Sequence, residues 1–131
     1  MTTQGQANFS VKSWDENAYA EIDGGRKLTK ASVVYGVTGD LEGESRSESL
    51  MAYAADGTAT FLGLDHIVGR IGDRSGSFVL QTTGTYDGQT ARAASTVVPG
   101  SGTGDFARVS GTCRYVATKE AVPFTFDLDF G

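Results

Sequence analysis

The chain has 131 residues, 39% of them hydrophobic and 21% charged, which is the make-up of one soluble globular domain large enough to build a core without staples. A net charge of -5, with arginines scattered at positions 26, 46, 70, 74, 92, 108 and 114, argues against nucleic acid and anionic membrane as partners. No apolar run approaches the roughly 18 residues that span a bilayer, "MTTQGQANFS" lacks the marks of a secretory leader, and the one cysteine, Cys113, offers no internal disulfide or zinc pattern, so a cytoplasmic protein is expected.

In chain order, the first strand is "ANFSVKSW", with Phe9 and Val11 on one face and Asn8, Ser10 and Lys12 on the other. Trp14, at its end, is placed to plug one mouth of a barrel, and "DENAY" after it reads as a turn. The next run, "TKASVVYGVTG", sets Ala31, Val33, Tyr35 and Val37 on a single side. Then "GDLEGESRSESLMAY" carries Asp40, Glu42, Glu44, Arg46 and Glu48 at every second position.

That charged row has two readings. In the first it is a solvated outer face, with Ser45, Ser47, Ser49 and Met51 turned inward, because burying it would cost several kcal/mol per charge (order ~). In the second, Gly43 marks a bulge that flips the parity of the strand. A carboxylate such as Glu44 would then point into an apolar lumen, with a raised pKa suited to general acid or base work.

Further strands follow in "TATFLGLDHIVGRIG", "GSFVLQTTGTYDG", "TARAASTVV", "RVSGTCRYVA" and "PFTFDLDFG", separated by the turn signals "DGT", "GDRSG", "DGQ" and "VPGSGTG". No segment longer than a turn or two keeps a helical period; the nearest is "GTGDFARVSG", where Thr103 or Asp105 could cap one turn. The whole reads as an all-β chain of about eight antiparallel strands closing into a barrel, a single domain over 1–131 with its ordered core at about 7–130. Closure hides the strand edges, and the Cys–Trp–Cys signature of an immunoglobulin sandwich is missing. Leu62, Leu64, His66 and Val68 form a second apolar row opposite Phe61, Ile67 and Ile71. With no helix to cover an outer apolar row, a homo-oligomer is expected.

His66 is the only histidine, which rules out multi-histidine metal sites. Its place on an apolar row suits either a hydrogen-bonded core residue or a proton-transfer group. Adjacent Asp65 cannot orient it within a strand, since neighbouring side chains point to opposite faces. "PGSGTGDFA" matches G-x-G-x-x-A only formally, because neither a long helix nor a βαβ unit follows it. It reads as a tight turn. Cys113 reads as a small buried filler. Tyr35, Tyr53, Gln81, Arg92 and Arg114 are polar residues that strands of a barrel could aim at a cavity.

In succession, "FSVKSWDE", "GDLEGES", "LMAY", "GTATFLGLDHIVGRIGDRSGSFVLQ", "GTYDG" and "VVPGSGTGDFARVSGT" resemble the bacterial family catalogued as domain of unknown function 3224, over nearly the whole chain. The resemblance implies a fold similar to the allene oxide cyclase barrel, eight antiparallel strands around a lumen. It also implies a cavity, an oligomer and a small apolar ligand.

The expectation that follows is a cofactor-free isomerase or cyclase acting on a small, largely apolar molecule in the lumen. Glu44 or His66 would move the proton, and Tyr35, Tyr53, Gln81 or Arg92 would polarise an oxygen. The alternatives are a lipocalin-like carrier that binds without reaction, or a barrel filled by its own side chains.

Overall fold

A computed structural model describes residues 2–131. Nine strands succeed one another: β1 (Thr3–Ile22), β2 (Arg26–Gly39), β3 (Glu42–Tyr53), β4 (Ala59–Ile71), β5 (Arg74–Tyr86), β6 (Ala91–Val97), β7 (Thr103–Gly104), β8 (Ser110–Ala117) and β9 (Val122–Asp129). A single 3-10 turn, Asp23–Gly25, joins β1 to β2. Every pairing is antiparallel. The order is β4-β3-β2-β1-β9-β8-β6-β5, and β4 pairs with β5 to close an eight-stranded barrel. The two-residue β7 is an extra strand that continues the β6 edge of β5. Among the described residues no helix is long and apolar enough to cross a membrane.

The period-2 alternation sets the inside. Ala31, Val33 and Val37 of β2, Phe61, Ile67 and Ile71 of β4, Phe78 and Leu80 of β5, and Phe124, Phe126 and Leu128 of β9 are all buried. Each large apolar side chain removed from water contributes roughly 1.5–3 kcal/mol. These contributions concentrate at one end. There the loop residue Leu41 and the turn residue Phe106 are both fully buried, and Phe106 packs edge-on to Phe78 (5.4 Å between centroids) and against Phe130 (5.7 Å). Thr103 and Asp105 cap no helix. Thr103 Oγ1 accepts from the Ser77 amide and Asp105 Oδ2 from the Ser75 amide, so "GTGDFA" is tied to β5 as the floor of the barrel.

The opposite end is built differently. Above Ser45, itself beside Ile67, the inner wall carries Ser47, Thr82 and Ser95 where aliphatic side chains would pack, and the inward-facing Ser49, Met51, Gly63 and Gly84 stay partly exposed. Beyond Phe9, which pairs with Val122 at the start of β9, the outer edge of β1 has no strand beside it. "DENAY" is not a turn: β1 runs through it, held on β2 by register from Ser13 to Ile22. Register shifts at Val11/Ser13 and Ala18/Ala20 absorb the twist of this long strand.

Candidate functional site

Midway down the barrel a carboxyl stands among hydroxyls. Asp65 of β4 lies opposite Ser47 of β3. Its Oδ1 accepts from Ser47 Oγ at 2.5 Å and its Oδ2 from Thr82 Oγ1 at 2.6 Å. Thr82 Oγ1 lies 2.7 Å from Ser95 Oγ, and with the Thr82 proton committed to Asp65, Ser95 donates to Thr82. Burial pushes the Asp65 carboxyl above the ordinary aspartate range, against the two hydroxyl hydrogen bonds, which act to lower it. Yet Asp65 keeps partial solvent exposure, while Ser47, Thr82 and Ser95 around it are buried. Asp65 is thus the member of this buried hydroxyl layer that solvent reaches.

Three further ionisable side chains face it. Burial, and then the charge of Asp65, pushes the Tyr35 phenol up to about 12 and the Cys113 thiol up to about 12. The Tyr115 phenol is raised by burial first and then by Tyr35 and Asp65. At neutral pH both phenols and the thiol therefore hold their protons, and Asp65 is the group of the set that can exchange one.

A second carboxylate guards the mouth. The register shift after Val11 sets Glu16 opposite Ala31, on the inner face. Its Oε2 accepts from Thr29 Oγ1 and from Tyr53 OH, both at 2.7 Å, and its Oε1 from Trp14 Nε1 at 3.1 Å. Burial works to raise this carboxyl but is outweighed by those three bonds and the Lys27 charge, which leave it below the ordinary glutamate range. Lys27 Nζ sits 5.0 Å above the Tyr53 ring. Among the described residues no three His, Cys, Asp or Glu side chains come together in metal-binding reach.

Of the residues singled out from the sequence, Tyr35 and Tyr53 face the lumen. Trp14, half exposed (50%) and opposite Val33 in register, donates its Nε1–H to Glu16 at the mouth. Glu44 and His66 lie on the outer face. No bulge occurs at Gly43, because β3 keeps continuous register with both β2 and β4. Gly43 is needed instead for close approach, since a Cβ there would lie 2.1 Å from the Val68 carbonyl oxygen. Glu44 consequently points outward, between Lys12 Nζ at 3.7 Å and Arg46 Nε at 3.1 Å. The charged row is the solvated face, with Ser45 and Ser47 buried inside. His66 is exposed on β4 between Arg46 and Val79, because Ile67 and Asp65 take the inward parity. Gln81 and Arg92 are exposed for the same reason, each flanked by inward neighbours.

Asp65 and Glu16 are the residues that sequence reasoning passed over. Asp65 had a signal: it is the one charge in the row Phe61, Gly63, Asp65, Ile67, Gly69, Ile71. Glu16 had none, because the bulge that turns it inward has no distinctive residue.

Fold and lumen thus define a small closed antiparallel barrel, apolar and packed at one end, polar and water-reachable at the other. The profile of the family described as "Protein of unknown function (DUF3224)" matches residues 5–130, and the chain belongs to that family. It is similar to the crystal structure of a protein of unknown function from the same family in Shewanella oneidensis MR-1, with a TM-score of 0.85 and 31% identity, covering 100% of this chain and 99% of that one. No curated protein matches the chain.

Proposed function

We propose that the chain is a cofactor-free isomerase- or cyclase-type enzyme acting on a small, largely apolar molecule in the lumen, with Asp65 in the proton-transfer role first expected of Glu44 or His66. The observation that carries this reading is the partly exposed, hydroxyl-held Asp65 on the inner wall midway down the barrel. Aliphatic residues in place of Ser47, Thr82, Ser95 and Asp65 would stabilise the fold, so a polar layer here costs stability. Such costs collect where a site does chemistry.

The test is to incubate the purified protein with a small-molecule extract of its host and follow compounds converted to isomers of the same mass. The wild type converts one such pair. Asp65→Asn slows it by about 100-fold or more, the scale of a lost acid–base group, while Glu44→Gln and His66→Ala leave it unchanged. Conversion by Asp65→Asn at the wild-type rate would overturn the assignment. One observation favours the carrier reading instead: both Asp65 oxygens are already held by hydroxyls. A carrier retains a stoichiometric small molecule through purification and converts none.

The partner surfaces follow from the outer face. Leu50, Leu62, Leu64 and Val68 are 45–56% exposed on β3 and β4, with Leu50 directly opposite Leu62. A second copy of the chain covering this stripe removes it from water. The cytoplasm is the proposed compartment, on the lone buried cysteine.

A further inference from the structure

The hydroxyls of Tyr35 and Tyr115 are donors without an acceptor. Among the described residues no hydrogen bond reaches either phenol oxygen, and neither is sealed into the wall: the buried unpartnered side-chain atoms are Ser45 Oγ and Asp127 Oδ1. Both rings are held in place. Phe9 stands edge-on to Tyr35 at 5.4 Å and stacks on Phe124 at 4.6 Å, and Phe124 is the direct cross-strand neighbour of Tyr115. Tyr35 lies opposite Ser45, the inward residue next to the Ser47 that donates to Asp65, and Tyr115 lies opposite Ala93, the inward residue next to the Ser95 that joins Asp65 through Thr82, so the three groups face one space. Ser45, opposite Tyr35 in register, adds a fully buried hydroxyl without a partner to the same wall.

Two free O–H donors beside one carboxyl select a chemical class. A pure hydrocarbon leaves the donors unsatisfied, and a carboxylate is repelled by Asp65. A carbonyl oxygen has two lone pairs for the two donors, and the carbon beside it carries a C–H that a carboxylate can take.

We infer that the substrate is an apolar ketone or aldehyde whose oxygen is held by Tyr35 and Tyr115 while Asp65 carries its α-proton. This rests on the reading of Asp65 as the proton carrier. Asp65 takes the proton from the carbon next to the carbonyl. The C–H electron pair becomes the enolate C=C, and the carbonyl π pair moves onto the oxygen, where both phenols donate to it. Where a C=C adjoins the α-carbon, the electron pair is shared along a dienolate, and return of the proton to the γ-carbon re-forms the carbonyl with the C=C moved one bond closer to it. Where none does, return to the opposite face of the same carbon inverts it. The step is an isomerisation in which nothing is oxidised or reduced.

The probe is 4-nitrophenol, whose phenolate oxygen mimics the enolate oxygen and whose ionisation is read by absorbance. Tyr35→Phe and Tyr115→Phe each weaken phenolate binding about tenfold, the scale of one charge-assisted hydrogen bond. Asp65→Asn tightens it by about tenfold, because a neutral amide stands in for the protonated acid. Tyr19→Phe, on the exposed surface (59%), leaves it unchanged. Wild-type affinity in both lumen phenylalanine variants, with their unfolding curves intact, overturns the inference. So does failure of the folded wild type to bind the phenolate. Isomer turnover that needs Asp65 but survives both phenylalanine variants sinks the carbonyl assignment alone. Tyrosine-dependent binding without any turnover sinks the enzymatic reading and leaves the oxygen site standing.

Discussion

A carboxyl raised by burial destabilises the fold once it ionises. For Asp65 the sign follows from its direction: the folded value lies above the ordinary 3.8, so its contribution to stability is full below that value and is lost as pH rises through the folded one. The phenols of Tyr35 and Tyr115 and the thiol of Cys113, which face it, stay protonated over this range. Urea unfolding should therefore show wild-type stability falling as pH rises above the ordinary aspartate value. Asp65→Asn should flatten that slope and be more stable at pH 7 by about 1–2 kcal/mol, since the amide can donate to Thr82 while Thr82 turns its proton to Ser95. A wild-type slope retained in the variant would assign it to another group. Asp65 was legible in part: it breaks an otherwise apolar inward row. Its proximity to His66 drew attention to a pair that strand geometry forbids, and the hydroxyls that hold it come from β3 and β5, distant in sequence.

At the level of elements, β1 is the part that the sequence pattern hides. Polar residues from Trp14 to Tyr19 look like a turn, yet β2 pairs with them throughout. From Ser10 onward one ladder holds the strand, with the Lys12–Glu44 ion pair and the Glu16 bonds beside it. Glu16→Ala should raise amide hydrogen exchange at residues 13–22 several-fold and leave β4 and β5 unaffected; unchanged exchange there would show that the ladder alone suffices. The pH sign is opposite to that of Asp65. The Glu16 carboxylate is held below its ordinary 4.5, so its bonds persist above that value and are lost as pH falls through the lower folded one. The mouth thus loosens only in acid. A second element-level constraint is Gly84 of β5, over which the Phe61 ring lies. A Cβ there would fall 2.4 Å from Phe61 Cζ and 2.5 Å from the Arg92 carbonyl oxygen. Gly84→Ala should cost about 1–3 kcal/mol in chemical denaturation, because the backbone cannot give way as a side chain can. A cost near zero would mean that Phe61 has space to move.

For the whole molecule, strict alternation in β2, β4, β5 and β9 and turn signals between them made the barrel readable from the sequence. What alternation cannot assign is which parity faces in, since β4 is apolar on both. Closure decides it: Ile67 and Ile71 meet the floor around Leu41 and Phe106, Phe61 is buried over Gly84 nearer the other end, and Leu62, Leu64 and Val68 are left outside. Light scattering should find an oligomer that Leu62→Lys with Leu64→Lys converts to monomers at unchanged secondary structure; a monomeric wild type would refute the second-copy assignment. The functional reading turns on one property, a carboxyl that holds its proton unusually well in a lumen that solutes can enter. Carbon-13 NMR titration of the aspartate carboxyls, with and without 4-nitrophenol, measures it directly. The predicted result is an Asp65 midpoint above the ordinary aspartate range that moves when the phenol is added. An ordinary midpoint, or one that the phenol leaves untouched, would contradict it.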